Sequence, residues 1–159
     1  MAMTGGANLT RILAEMTANA KGKGLVKVGF QDGMKYPSKS GNPVYVAQVA
    51  FWNEYGTQGS AHGGPIPPRP FFRSMIAAKS PKWGDNLGRV LAANNYDVKK
   101  SLALAGGKIV EQLQDSIKNG GWEKNSARTV AKKGFATPLI DSGVMWRDAI
   151  TYVVVDGNE

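Results

Sequence analysis

The sequence predicts an α+β fold, with a small, mostly antiparallel sheet packed against one long helix and several short helices. Three observations predict it. Between Asp97 and Lys118, residues Val98, Leu102, Ala105, Ile109, Leu113 and Ile117 recur every three or four positions. That spacing is the single apolar stripe of a long amphipathic helix. Val26, Val28 and Phe30 alternate with Lys27 and Gly29, and Thr151 to Val155 alternates near the other end, each with the period of a half-buried strand. Short helical stretches punctuated by glycine and proline fill the interval, without internal repeats.

Taken in order, Asn8 to Ala20 carries Leu9, Ile12, Leu13 and Met16 at helical spacing, with Asn8 or Thr10 as cap and Lys21-Gly22-Lys23-Gly24 as the stop. The strand follows, and Asp32-Gly33 marks a turn. Residues 44–55 have a strand-like composition, yet three cues argue for a helix. Asn42 suits the N-cap, Pro43 the first helical position, and Gly56 the left-handed position beyond the last turn. Val46, Val49, Ala50 and Asn53 then share one face, beside Trp52 and Tyr55.

Phe71 to Ala78 reads as a helix broken near Ser80-Pro81, and Asp85 to Ala93 as another. Inside the long helix, Gly106-Gly107 costs about 1 kcal/mol per glycine relative to alanine. Either the helix kinks there or another backbone packs unusually close. Asp141 or Ser142 is expected to cap a helical turn carrying Met145 and Trp146. The last strand is expected to pair with Leu25–Phe30 or a neighbour.

A length of 159 residues fits one domain over 1–159. Within it the sequence predicts a Gly/Pro-rich loop and arm at 56–70 and a basic mobile loop at 118–134. Cysteine is absent, which excludes disulfides and thiolate metal sites and fits a reducing cytosol. No apolar run approaches the roughly 18 residues of a membrane span, so no membrane partner is expected. Met1 to Thr10 shows neither the basic start nor the apolar block of a signal peptide.

The net charge of +8 points to nucleic acid or an acidic protein surface. Lys118, Lys124, Arg128, Lys132 and Lys133, opposed only by Glu123, are the expected contacts for such a partner. No zinc-finger spacing, basic helix or stacking-aromatic strand motif accompanies them.

Catalytic machinery is not assembled by this sequence. His62 is the only histidine and lies in a glycine-rich loop, without an orienting partner. Carboxylates are scattered, and Glu111 and Asp115, four apart on a helix, read as a solvated surface. Gly59 to Gly64 lacks the lysine and hydroxyl of a phosphate-cradling loop and runs into proline. The expectation is a non-enzyme, with no catalytic residues, no cofactor and no metal.

The most informative stretch is Asn53 to Phe72, NEYGTQGSAHGGPIPPRPFF. A helix stops at Gly56, a glycine-rich loop follows, and Pro65-Ile66-Pro67-Pro68-Arg69-Pro70 favours the extended polyproline conformation. The arm ends in Phe71 and Phe72 flanked by Arg69 and Arg73, and aromatics with arginine are common interface anchors. One phenylalanine is expected to enter the core, since the two point in different directions from a helix start.

Several segments in order carry a resemblance: Val28-Gly29-Phe30; Val46-Ala47-Gln48-Val49-Ala50; Asn53-Glu54-Tyr55-Gly56-Thr57; and Ile66-Pro67-Pro68-Arg69-Pro70-Phe71-Phe72-Arg73. Lys133-Gly134, Pro138-Leu139-Ile140-Asp141-Ser142-Gly143 and Met145 close the series. Together they are similar to the small tail-completion and head–tail joining proteins of tailed bacteriophages, the virion morphogenesis or minor tail component family. The likeness covers most of residues 26–155 but little of 80–130, and the Gln58–Gly64 loop is longer than usual.

What the resemblance implies is a structural protein without catalytic residues, forming a ring, expected to be of six subunits, at the tail end or between tail and connector. Its implied partners are further copies of itself and other tail or connector proteins, with incidental contact to DNA in the channel. Its implied location is the virion, after assembly in the host cytoplasm. Glu54, Tyr55, Gly56, Thr57, Pro68, Arg69, Pro70, Phe71, Phe72, Arg73, Asp141 and Gly143 would form fold and interfaces. A basic nucleic-acid-binding accessory protein, or a morphogenesis factor absent from the finished virion, is the alternative.

Overall fold

The computed structural model describes residues 6–37, 42–59 and 64–157. Among them the fold is α+β. Helices α1 (Gly6–Ala20), α2 (Val46–Tyr55), α3 (Phe71–Lys79), α4 (Trp83–Ala93), α5 (Val98–Asn119) and α6 (Ala127–Lys133) accompany strands β1 (Gly24–Phe30) and β2 (Ile150–Asp156), which form a two-stranded antiparallel sheet. The chain gathers into two compact units, the first from the described residues of 1–27, 81–108 and 152–159, the second from 28–80 and 109–151.

In the sheet, Gln31 donates its N–H to the Ala149 carbonyl at 2.7 Å and Gly157 donates to Lys23 at 3.3 Å. That register sets Lys27 opposite Val153 and Val26 opposite Val154. Backbone groups alternate between the two sides of a strand. Gly24, Val26, Val28 and Phe30 therefore turn their N–H and C=O away from β2, and Ile150, Tyr152, Val154 and Asp156 turn theirs away from β1.

The first unit holds α1, α4, the N-terminal part of α5 and most of the strand pair. Here α5 runs through Gly106-Gly107 without interruption. A Cβ on Gly106 would stand 2.7 Å from both the Tyr152 ring and Val26 Cγ2. The glycine thus admits side chains from the sheet, where a kink or a close backbone was expected. Ser101 and Leu102 are buried on the same helix. By contrast, the apolar stripe of α1 stays open, with Leu9 59% and Leu13 53% exposed.

The second unit is built around Val46, Ala50, Phe71, Met75, Leu113, Ile117, Met145, Ala149 and Ile150, all buried. Phe30 and Phe71 meet edge to face with centroids 6.3 Å apart, a favourable aromatic geometry. Ser116 Oγ donates to the Phe71 carbonyl at 2.8 Å, tying α5 to the start of α3. A π-helical turn, Val144–Asp148, packs on α2.

Three local expectations are corrected in this unit. Helix α2 begins at Val46, and neither Asn42 nor Pro43 starts it. Residues 44–46 instead return against 34–36, with Tyr36 N–H to Val44 O at 2.9 Å and Val46 N–H to Met34 O at 2.9 Å. Pairing across the turn satisfies donors that a cap would otherwise have served. Neither Asp141 nor Ser142 caps the turn bearing Met145 and Trp146, which follows left-handed Gly143 with no side-chain cap. The expected basic loop at 118–134 is partly helical: α5 extends to Asn119, and Ser126 caps α6 by accepting from Thr129 N–H.

Candidate functional site

The Asn53–Arg73 stretch folds back on itself. Gly56 leaves α2 at φ 75°, and a Cβ there would lie 2.7 Å from the Ile66 carbonyl, so only glycine fits. Thr57 and Ile66 exchange backbone hydrogen bonds at 2.9 and 3.2 Å, closing the loop between them. Residues 60–63, His62 among them, lie outside the described residues. The proline arm then reaches the C-terminal end of α2, where Arg69 N–H donates to Asn53 O at 2.7 Å.

Two buried charged side chains hold this return. Glu54, 5% exposed, accepts from the backbone N–H groups of Phe72 at 2.9 Å and Arg73 at 3.0 Å, and from Arg73 Nε at 2.9 Å. A carboxylate at the first turn of α3 satisfies donors that lack intrahelical partners. Arg69, also 5% exposed, donates from Nε to Glu123 O at 3.0 Å and from Nη1 to Asn53 Oδ1 at 3.0 Å. Burial pulls its pKa below the ordinary arginine value, and the Glu123 charge opposes that shift.

Arg69 lies in the wall of a cavity of about 480 Å³. Tyr36, Asn53, Asn125, Ser126, Thr129, Lys133 and Asp141 supply its polar groups, and Val44, Val49, Ile66, Leu139 and Met145 its apolar surface. Lys133 Nζ stands 3.5 Å from Asp141 Oδ2. Burial, with the Asp141 charge as a lesser cause, pushes the Tyr36 hydroxyl up to about 12, so it remains a proton donor. Leu139 holds φ at 62°, a left-handed conformation costly for a non-glycine residue.

A second, smaller concavity of about 230 Å³ is apolar, lined among others by Phe30, Phe51, Tyr55, Phe71 and Phe72. Phe51 and Tyr55 are 60% and 53% exposed, and their rings lie 4.7 Å apart, with Arg73 over Tyr55 at 4.5 Å.

The expected interface residues therefore divide. Glu54, Arg69, Phe71 and Gly143 are buried within the chain; Gly56, Thr57, Pro70 and Phe72 are half-buried; Tyr55, Pro68, Arg73 and Asp141 are exposed. Of the two phenylalanines, Phe71 enters the core at 1% exposure. Among the basic residues, Lys118 sits over the Trp146 ring at 4.8 Å and Lys133 pairs with Asp141, whereas Lys124, Arg128 and Lys132 are exposed. Sequence reasoning missed Tyr36, Asn53, Asn125, Ser126 and Thr129 as cavity residues. Only Asn53 carried a signal, as the residue before Glu54 in the same motif.

No family model, curated protein or solved structure matches this chain. Among the described residues, no cluster of His, Cys, Asp and Glu has the makeup to hold a metal ion, and no helix is long and apolar enough to cross a membrane.

Proposed function

We propose that this chain is a structural virion protein of a tailed bacteriophage that assembles into a closed ring, with six subunits expected, completing the tail end or joining tail to head connector. The reading starts from the ordered motif series, and the observation that carries it in the structure is the pair of unlike sheet edges. A ring requires two different surfaces on each subunit that meet heterologously. The outward edges of β1 and β2 are two such surfaces, and among the described residues each leaves its backbone groups without a strand partner.

Edge strands that avoid association carry lysine, proline or a bulge. Ile150 to Val155 contains no charge and no proline. The β2 edge of one copy laid against the β1 edge of the next continues the antiparallel order, and Leu25 and Val153, 41% and 54% exposed, extend the contact on the open face. The proposed role is non-enzymatic and uses no cofactor.

Mass measurement of the purified protein with its tail partners, together with electron microscopy of particles made without its gene, tests the role. Separate filled heads and tails are the expected phenotype, and normal virions would overturn it. Mass spectrometry of purified virions separates a resident ring from a morphogenesis factor that leaves.

A further inference from the structure

We propose that the cavity walled by Arg69 is a carboxylate-binding pocket, which takes a glutamate or aspartate side chain carried on an extended, otherwise apolar segment of a protein partner. This inference does not depend on the ring. It begins from a buried guanidinium that makes no close ion pair among the described residues, the Glu123 charge acting on it only at longer range.

Arg69 is 5% exposed, yet its two hydrogen bonds go to neutral acceptors, the Glu123 carbonyl and the Asn53 amide oxygen. Among the described residues no carboxylate forms an ion pair with it. A guanidinium has five N–H donors in a planar fork. With Nε and one hydrogen of Nη1 engaged, the other Nη1 hydrogen and both on Nη2 have no acceptor among the described residues. A buried charge is costly unless it is paired, and the planar fork matches a carboxylate in two-point geometry.

The remaining wall favours the same ligand. Tyr36, Ser126 and Thr129 bring hydroxyls and Lys133 a second cation, while the single carboxylate, Asp141, is already held by Lys133. Of the charged residues in the cavity wall, two are cations and one an anion, with the Glu123 charge acting on Arg69 from outside the wall. The volume of about 480 Å³ falls within the roughly 300–1,000 Å³ typical of ligand pockets and exceeds what a lone carboxylate fills. Val44, Val49, Ile66, Leu139 and Met145 offer apolar surface to the residues flanking the acid. An extended peptide supplies both parts at once.

The test is a titration of the ¹⁵N-labelled full chain, following the Nε–H resonance of Arg69. Three probes are compared: acetyl-Val-Glu-Val-amide, its glutamine counterpart acetyl-Val-Gln-Val-amide, and glutarate. The expected result is a saturable shift with the glutamate peptide, at least about tenfold tighter than with the glutamine peptide, as a charge-assisted bond in a desolvated site implies. Glutarate is expected to bind more weakly than the glutamate peptide. Glutarate binding equally well would overturn the peptide assignment in favour of a small-acid site. Equal response to both peptides, or none at about 10 mM, where even millimolar affinity would register, would overturn the pocket altogether. No substitution is needed, so the result does not depend on how a variant folds.

Discussion

Arg73 meets Glu54 three times: its backbone N–H and its guanidinium Nε both donate to Glu54 Oε1, at 3.0 and 2.9 Å, and its Nη2 donates to the Glu54 carbonyl at 3.1 Å. Only one of these contacts is shielded from water, since the Arg73 side chain is 53% exposed and that of Glu54 is 7% exposed. The exposed ion pair is therefore worth little, about 0–1 kcal/mol. Loss of the carboxylate leaves the Phe72 and Arg73 N–H groups without an acceptor, at about 1–3 kcal/mol for each buried group. Glu54→Ala is expected to destabilise by about 2–4 kcal/mol, and Arg73→Ala by less than about 1 kcal/mol. Urea unfolding of the two variants checks the ordering; equal losses would mean that the ion pair dominates.

The adjacent glycines of α5 are expected to respond with opposite signs. A Cβ on Gly107 meets only Tyr152 Cε1 at 3.9 Å, an ordinary contact, whereas on Gly106 it meets Tyr152 and Val26 at 2.7 Å. Gly107→Ala should stabilise by up to about 1 kcal/mol through helix propensity. Gly106→Ala should destabilise by about 1–3 kcal/mol through overpacking. Thermal unfolding midpoints of the two variants measure the contrast.

Tyr36 sets an alkaline limit. Its folded pKa is raised to about 12 from 10.0, so between these values the folded state holds a proton that the unfolded state has lost. Stability from this group is fully present below pH 10 and is lost as pH rises towards 12. Tyrosinate absorbance should show a component titrating near 12 that is missing in Tyr36→Phe. The variant's midpoint should also fall less steeply over that window.

If the ring closes through the sheet, a proline on β2 acts according to the direction of the N–H it removes. The Val154 N–H points away from β1, and that of Val153 points toward it. Val154→Pro should keep the fold and abolish the oligomer, because proline is tolerated on an outward edge. Val153→Pro should cost about 1–3 kcal/mol by removing a ladder bond and leaving its acceptor unpaired. Analytical ultracentrifugation with circular dichroism reads both outcomes, and an intact Val154→Pro oligomer would exclude this joint.

Where spacing alone places a residue, the sequence was readable. The stripe from Val98 to Ile117, the strands at Val26–Phe30 and Thr151–Val155, and the helix stop at Gly56 all appear in the structure, although burial along Thr151–Val155 does not alternate. These are local properties, set by helical or strand period and by the φ that glycine alone adopts cheaply. The start of α2 was not readable, because Asn42 and Pro43 fit a local cap rule while the pairing of 44–46 with 34–36 overrode it. Helix α6 was hidden because Ala127–Lys133 is short and its basic, glycine-flanked setting resembles a loop.

The candidate site divides the same way. By itself the sequence determined that Asn53–Arg73 is a stop, a loop and a stiff arm ending in aromatics, since glycine frees the backbone and proline fixes it wherever they stand. Tertiary structure alone decided what the arm does. It buries Phe71, turns Glu54 into the cap of α3, and brings Arg69 beside Tyr36, Thr129 and Lys133 in one cavity wall. The reason is physical: burial and charge pairing depend on which distant segments meet, and local spacing carries no record of those meetings.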